Sequence, residues 1–291
     1  MRIANPIYDV VFKYLLSDNK IAKLLIAAII GEEIIELDFR PTEYSSDVKE
    51  RSLLIYRLDF AAKIRNADGT EKLILIEIQK AKYPEDVMRF RHYLGNQYAN
   101  DNNVIAESMN KYNALPIITI YFLGHKLDHT KVPIIKVRRE YQDIASGEVI
   151  TEKEDFIECL THDSFIIQIP FLAKHRRTEL EAILTVFDQS MTENSRHFLN
   201  LDENDYPEKY RELIRRLVRA AADPEVRKIM TVEDEILNNF DNYERTIQEK
   251  DEQLIEKNET IAHAVTLLAD KLNITREAAE LMVNDKKVNK G

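Results

Sequence analysis

The sequence predicts an α/β fold, with a mixed sheet flanked by helices and a helical region after it. Three observations carry this prediction. Apolar residues recur at helical spacing in the first thirty positions. Two β-rich runs flank Asn66-Ala67-Asp68-Gly69, a strong hairpin signal. A continuous apolar run from Pro116 to Leu123 has the character of a buried central strand.

The elements follow in order. Asn5-Pro6 has the chemistry of a helix start, with Asn as cap and Pro at the first helical position. Ile7, Val10, Val11, Tyr14 and Leu15 then form one apolar stripe. A second helix is expected from about Lys20 to Ile30, with Gly31 as its C-terminal cap. Leu53 to Ile64 and Lys72 to Gln79 read as the two hairpin strands. Tyr83 to about Lys111 reads as a helix entered through Pro84. Val132 to Val137 and Phe165 to Ile169 read as short strands.

Helical patterns dominate after about residue 175: Thr178 to Met191, Pro207 to Ala222, and a long stretch from Val232 to Leu272. A final short helix, Arg276 to Val283, follows Thr275 as cap. In the long stretch Ile236, Phe240, Tyr243, Ile247, Leu254, Ile261, Val265 and Leu268 partly follow a heptad, interrupted by Lys250, Asp251, Lys257 and Asn258. Both a homodimer through this helical arm and a solvated charged helix fit that pattern. The expected organisation is a first domain over residues 1–175 and a helical region over 176–291.

Composition narrows the function classes. One cysteine, Cys159, excludes an internal disulfide framework and fits a cytoplasmic setting, with the thiol inert and partly buried. The most apolar run, Leu24 to Ile30, is far shorter than the roughly 20 residues of a membrane span, so no membrane partner is expected. Net charge is −10, which at first argues against nucleic acid. Ten acids and three bases between Thr231 and Ala262 account for −7 of it. The remaining chain is near −3 and carries basic runs at Lys131 to Arg139, Lys174 to Arg177 and Lys209 to Arg219. A locally positive groove is compatible with that distribution.

The hairpin carries the candidate chemistry. With Ala67-Asp68-Gly69 as a three-residue loop and Gly69 left-handed, Asp59 falls opposite Glu77 and Arg57 opposite Gln79. Two carboxylates then share one sheet face, with Cβ atoms about 4.5–5.5 Å apart. Facing like charges destabilise a sheet unless something offsets them. A bound cation, a raised pKa on one acid or a neighbouring base such as Arg57 would each do so. A hard divalent ion is the functional reading, since Mg²⁺ accepts one or two carboxylates and keeps positions open for phosphate oxygens. An exposed hairpin whose acids face solvent is the simpler alternative. The apolar neighbours Leu73 to Ile76 and Ile78 weigh against it, because polar groups in an enclosed sheet need partners.

Arg57-Leu58-Asp59-Phe60 followed by Ile76-Glu77-Ile78-Gln79 resembles the D…E-x-Q core of the PD-(D/E)XK transposase and recombination-promoting nuclease family. Asp9-Val10-Val11-Phe12-Lys13 resembles the family's opening D-x-x-F-K helix. Arg89, Tyr93 and Tyr98 resemble its R-x-x-x-Y…Y helix, and Tyr112 to Ile120 its Y-x-x-L-P segment before an apolar strand. The resemblance covers roughly residues 1–125.

It implies a restriction-endonuclease-like sheet and metal-dependent cleavage of DNA, associated with recombination or mobile elements. Asp59 and Glu77 become metal carboxylates, the carbonyl of Ile78 a further ligand, and Mg²⁺ or Mn²⁺ the cofactor. Gln79 stands where the broader pattern has lysine, and glutamine supplies neither positive charge nor a general base. Asp9, Lys13, Lys82, Arg89 and Tyr93 are candidate supporting residues. A nuclease-fold protein without cleavage activity, acting in DNA binding or assembly, is the alternative. Other groupings are weaker: His125 and His129 near Asp128 lack further zinc ligands, and His162-Asp163-Ser164 gives no reliable triad.

Overall fold

The computed structural model describes residues 1–39, 60–66, 69–79, 84–103, 114–174, 178–192 and 195–288. Strand β1 (Arg2–Ala4) opens the chain, followed by helices α1 (Asp9–Leu16) and α2 (Asn19–Ile30). Then come β2 (Ile34–Phe39), β3 (Phe60–Asn66), β4 (Glu71–Gln79), α3 (Pro84–Tyr98) and β5 (Ile117–Leu123). Next are β6 (Ile134–Val137), the small hairpin β7 (Tyr141–Gln142) and β8 (Val149–Ile150), α4 (Asp155–Leu160) and β9 (His162–Gln168). Helix α5 (Glu179–Leu184), β10 (Phe198–Asn200), α6 (Arg211–Ala222), α7 (Pro224–Leu272) and α8 (Arg276–Val288) complete it.

A six-stranded mixed sheet, order β2-β3-β4-β5-β9-β6, forms the centre. Strands β2, β3 and β4 are antiparallel; β4, β5 and β9 are parallel; β6 returns antiparallel on the far edge. The β3–β4 hairpin has the register expected from its turn: Phe60 pairs with Ile76 and Ala61 with Leu75. Gly69 has φ +84°, a left-handed conformation that glycine adopts without a Cβ clash. The turn end is fixed by charge. The nearly buried Glu71 carboxylate accepts from Lys63 and Arg65, both at 2.8 Å, and Glu32 pairs with Lys72 at 2.6 Å.

Strand alternation divides the core between the two sheet faces. One face carries Ala62, Ile64, Ile74, Ile76, Ile118, Ile120, Phe122, Phe165 and Ile167, in one cluster with the apolar stripes of α1, α2 and α6. The other carries Ala61, Leu73, Leu75 and Ile117 against Phe90 and Tyr93 of α3. The β2 strand, the β1–β10 pair, the β7–β8 hairpin and α4 are additions to the expected elements.

Three expectations are corrected. The first helix begins at Asp9, because Asn5 is bound elsewhere. It is almost wholly buried; its Nδ2 donates to Gln189 Oε1 at 2.8 Å and to the Arg196 carbonyl at 2.7 Å. Its Oδ1 accepts from the Ile7 amide within a turn. Helix α3 stops at Tyr98, where Asn103 Nδ2 donates to the Gln97 carbonyl and competes with helix continuation. Beyond residue 178, Thr178 caps only six helical residues before 3₁₀ turns replace the helix expected to reach Met191.

Two compact units result, Met1–Val232 and Glu233–Gly291. The first extends well past residue 175, where the sequence analysis ends the first domain. The reason is packing. Ile183, Leu184, Leu213, Ile214 and Leu217 are fully buried in the core shared with α1 and the sheet, and β10 pairs with β1. In the second unit Asn273 takes a left-handed φ of 52° at the turn between α7 and α8. Thr275 Oγ1 there accepts from the Ala278 amide, the expected cap.

Candidate functional site

The three parallel strands end together. In register, Glu77 pairs with Tyr121, Ile78 with Phe122 and Gln79 with Leu123, which in turn pairs with Gln168. Loops beyond the carboxyl ends of parallel strands are the usual ligand sites of open α/β sheets. Two helices reach this end from opposite faces. From α3, the Phe90 ring lies 4.3 Å from that of Tyr121, the register partner of Glu77. From α1, Phe12 meets Phe122 edge-on at 5.4 Å, and Phe122 is the register partner of Ile78.

The predicted residues fall as follows. Asp59 and Lys82 lie outside the described residues. Asp59 is the chain neighbour of Phe60, and Phe60 pairs with Ile76, the neighbour of Glu77. Glu77, Ile78 and Gln79 are the last three residues of β4. Alternation along β4 assigns the positions of Glu77 and Gln79 to the sheet face of Leu73 and Leu75, which α3 covers. Arg89 lies on α3. Tyr93 is buried on that helix among Leu73, Leu75 and Phe90. Asp9 and Lys13 are half-buried on α1, one turn apart and flanking Phe12 in sequence.

The loop after β5 is held by Gln168, which the sequence analysis did not single out. Its side chain is fully buried. Oε1 accepts from the Leu127 amide at 2.7 Å, and Nε2 donates to the carbonyls of Thr130 and Val132 at 3.0 and 2.8 Å. Three backbone groups of one loop are thereby tied to the end of β9. No local sequence signal marks this role, because a lone glutamine at a strand end has many uses.

At the opposite end of the sheet a polar cluster gathers around Arg139. Its Nε donates to Asp163 at 3.0 Å and its Nη2 to Glu158 at 2.7 Å; Nη1 donates to the carbonyls of Glu158 and Thr161. The guanidinium thus neutralises two carboxylates and caps the C-terminal end of α4. Nearby, Tyr98 Oη and His162 Nδ1 are hydrogen-bonded at 2.9 Å. Burial, and next the Arg139 charge, hold the His162 pKa below its ordinary value, while Asp163 opposes them. The three residues considered as a triad therefore have separate partners: Tyr98 for His162, Arg139 for Asp163 and Thr119 for Ser164. Cys159 is half-buried, donates to the Ala114 carbonyl at 3.0 Å, and has its thiol pKa pushed up chiefly by burial, which disfavours the reactive thiolate.

The basic runs are partly neutralised from within. Lys209 pairs with Glu179, Arg215 with Glu203, Arg216 with Asp18 and Arg219 with Glu212. In the Lys131–Arg139 run, Lys136 lies 4.8 Å above the Phe165 ring, and Lys131 and Arg138 are exposed. The surface cleft lined by Leu24, Ala27, Leu180, Tyr210, Glu179 and Lys209 contains none of the predicted site residues. Among the described residues, no group of three or more His, Cys, Asp or Glu is placed to hold a metal ion, and no helix is long and apolar enough to cross a membrane.

Comparison with protein-family models, curated proteins and solved structures returns no match.

Proposed function

We propose that the protein is a metal-dependent endodeoxyribonuclease of restriction-endonuclease-like fold, related to the PD-(D/E)XK transposase and recombination-promoting nuclease family. The observation that carries this reading is the hairpin register. It brings the neighbour of Asp59 opposite the neighbour of Glu77, at the end of β4 where the sheet turns parallel. The contact of Phe12 with Phe122 adds support, because it seats the D-x-x-F-K segment of α1 at the same end of the sheet.

The donor set suits a hard divalent ion. Carboxylate oxygens from Asp59 and Glu77 and the carbonyl of Ile78 are the oxygen ligands that Mg²⁺ or Mn²⁺ takes. Such an ion, when bound, supplies an activated water and stabilises the charge that develops on phosphate. In this reading Gln79 orients groups by hydrogen bonding and carries no charge. Arg89 and Lys82 contribute positive charge toward phosphate, and Asp9 and Lys13 brace the site from α1. Tyr93 fixes the position of α3.

The absence of charge on Gln79 favours one second reading: a protein of the same fold that binds DNA or assembles without cutting it. Supercoiled plasmid separates the two. The proposal expects nicking by the wild-type chain with Mg²⁺ or Mn²⁺, abolished by EDTA and by Asp59→Ala. Equal nicking by both chains, or none from a folded wild-type chain with any metal, would reject the nuclease site.

A further inference from the structure

We infer that the second compact unit is a dimerisation arm, in which α7 pairs with α7 of a second copy of this chain as an antiparallel coiled coil. Helix α7 is unbroken over 49 residues. Within it Phe240, Ile247, Leu254, Ile261 and Leu268 recur at a strict seven-residue spacing. Tyr243, Ile247 and Leu254 are 63%, 59% and 57% exposed, so among the described residues the middle of this helix face is left uncovered.

The period identifies the kind of partner. On a straight α-helix a seven-residue repeat drifts by about 20° per heptad, so five successive positions would wander across the surface. They stay on one line only if the helix supercoils around another helix of the same repeat. A second copy of α7 supplies that repeat over its whole length, whereas a globular partner would be met by a 3.6-residue stripe.

Charge sets the direction. With Phe240, Ile247, Leu254, Ile261 and Leu268 at the a positions, the d positions are Ile236, Tyr243, Lys250, Lys257 and Ala264. In a parallel pair Lys250 and Lys257 would each face their own copies across the seam, and like charges in close contact repel. In an antiparallel pair each a position meets a d position. Centred at Glu252, all five a positions find a partner: Phe240 with Ala264, Ile247 with Lys257, Leu254 with Lys250, Ile261 with Tyr243, and Leu268 with Ile236. The bulky Phe240 then meets Ala264, the smallest seam residue, as dense packing favours. Each lysine lays its aliphatic stem against an apolar residue while its ammonium reaches the edge.

Sedimentation of the full chain over a wide concentration range tests the pairing. The wild-type chain should be dimeric, and Leu254→Asp should weaken association by roughly a hundredfold or more, because it buries a charge in the seam. Ile255→Asp alters a residue 60% exposed and one position off the stripe, so it should leave the dimer intact. A wild-type chain monomeric at every concentration, or equal effects of the two substitutions, would overturn the inference. Direction is read by spin labels on Thr266→Cys in a Cys159→Ser background. An antiparallel pair separates the labels by about 40 Å along the axis. A parallel pair keeps them within about 20 Å, and that result would overturn the antiparallel arrangement.

Discussion

His162 is half-buried, with its Nδ1 hydrogen-bonded to the Tyr98 hydroxyl in a direction that depends on the ring's tautomer. Burial and Arg139 already disfavour the imidazolium. The folded chain therefore binds this proton more weakly than the unfolded chain does. The stability linked to His162 is fully present above the ordinary histidine pKa of about 6.5 and falls as the pH drops below it. Urea unfolding on either side of that value should show the loss, and His162→Asn, which keeps an acceptor near Nδ1, should flatten it; an unchanged slope in the variant would assign the pH dependence elsewhere. In the sequence His162, Asp163 and Ser164 are simply chain neighbours. Their separate partners come from α3, from the segment after β6 and from β5, which only the fold brings together.

Among elements, the β3–β4 hairpin was the most legible. Its turn chemistry sets the register, and both faces are buried, with Ala62, Ile74 and Ile76 in one core cluster and Ala61, Leu73 and Leu75 in the other. The α2 helix was equally readable: the Asp18 carboxylate accepts from the Lys20 and Ile21 amides, and Gly31 ends the helix at φ +76°. Strands β1 and β10 were not readable, since three residues give no period and their pairing spans most of the chain. Asn5 misled for the same reason, its partners lying at Gln189 and Arg196. The loop after β5 depends on a single side chain of this kind. Gln168→Leu removes three hydrogen bonds and leaves the Leu127 amide and two carbonyls unpaired, at a cost of about 2–4 kcal/mol. Chemical denaturation reads that loss, and faster amide exchange over residues 124–133 should accompany it. A variant as stable as wild type would mean that water replaces the side chain.

For the whole molecule, the helical periodicities, the hairpin signal and the apolar run after Pro116 foretell an α/β chain with a helical end, and the six-stranded sheet and long α7 agree with it. The boundary of the first unit was not legible, because the helices after residue 175 have ordinary amphipathic patterns that do not say what they cover. Since α6 buries Leu213, Ile214 and Leu217 in the common core, a chain ending at Val232 should unfold cooperatively while one ending at residue 175 should not fold. Circular dichroism with thermal melting distinguishes them, and a cooperative melt of the shorter chain would contradict this partition. The Lys209–Arg219 run shows a similar limit: its bases were visible in the sequence, but their carboxylate partners were supplied by the fold. Of the candidate site, the sequence supplies Asp59, Glu77 and the register expected between them, and the structure has that register at their neighbours Phe60 and Ile76. Plasmid nicking by wild type, Asp59→Ala, Glu77→Gln and the double variant tests the shared-metal account most directly. Groups acting through one ion are not additive, so each single variant should lose at least about a thousandfold in rate and the double variant no more than either. Losses that multiply in the double variant, or full activity in Glu77→Gln, would contradict a common site.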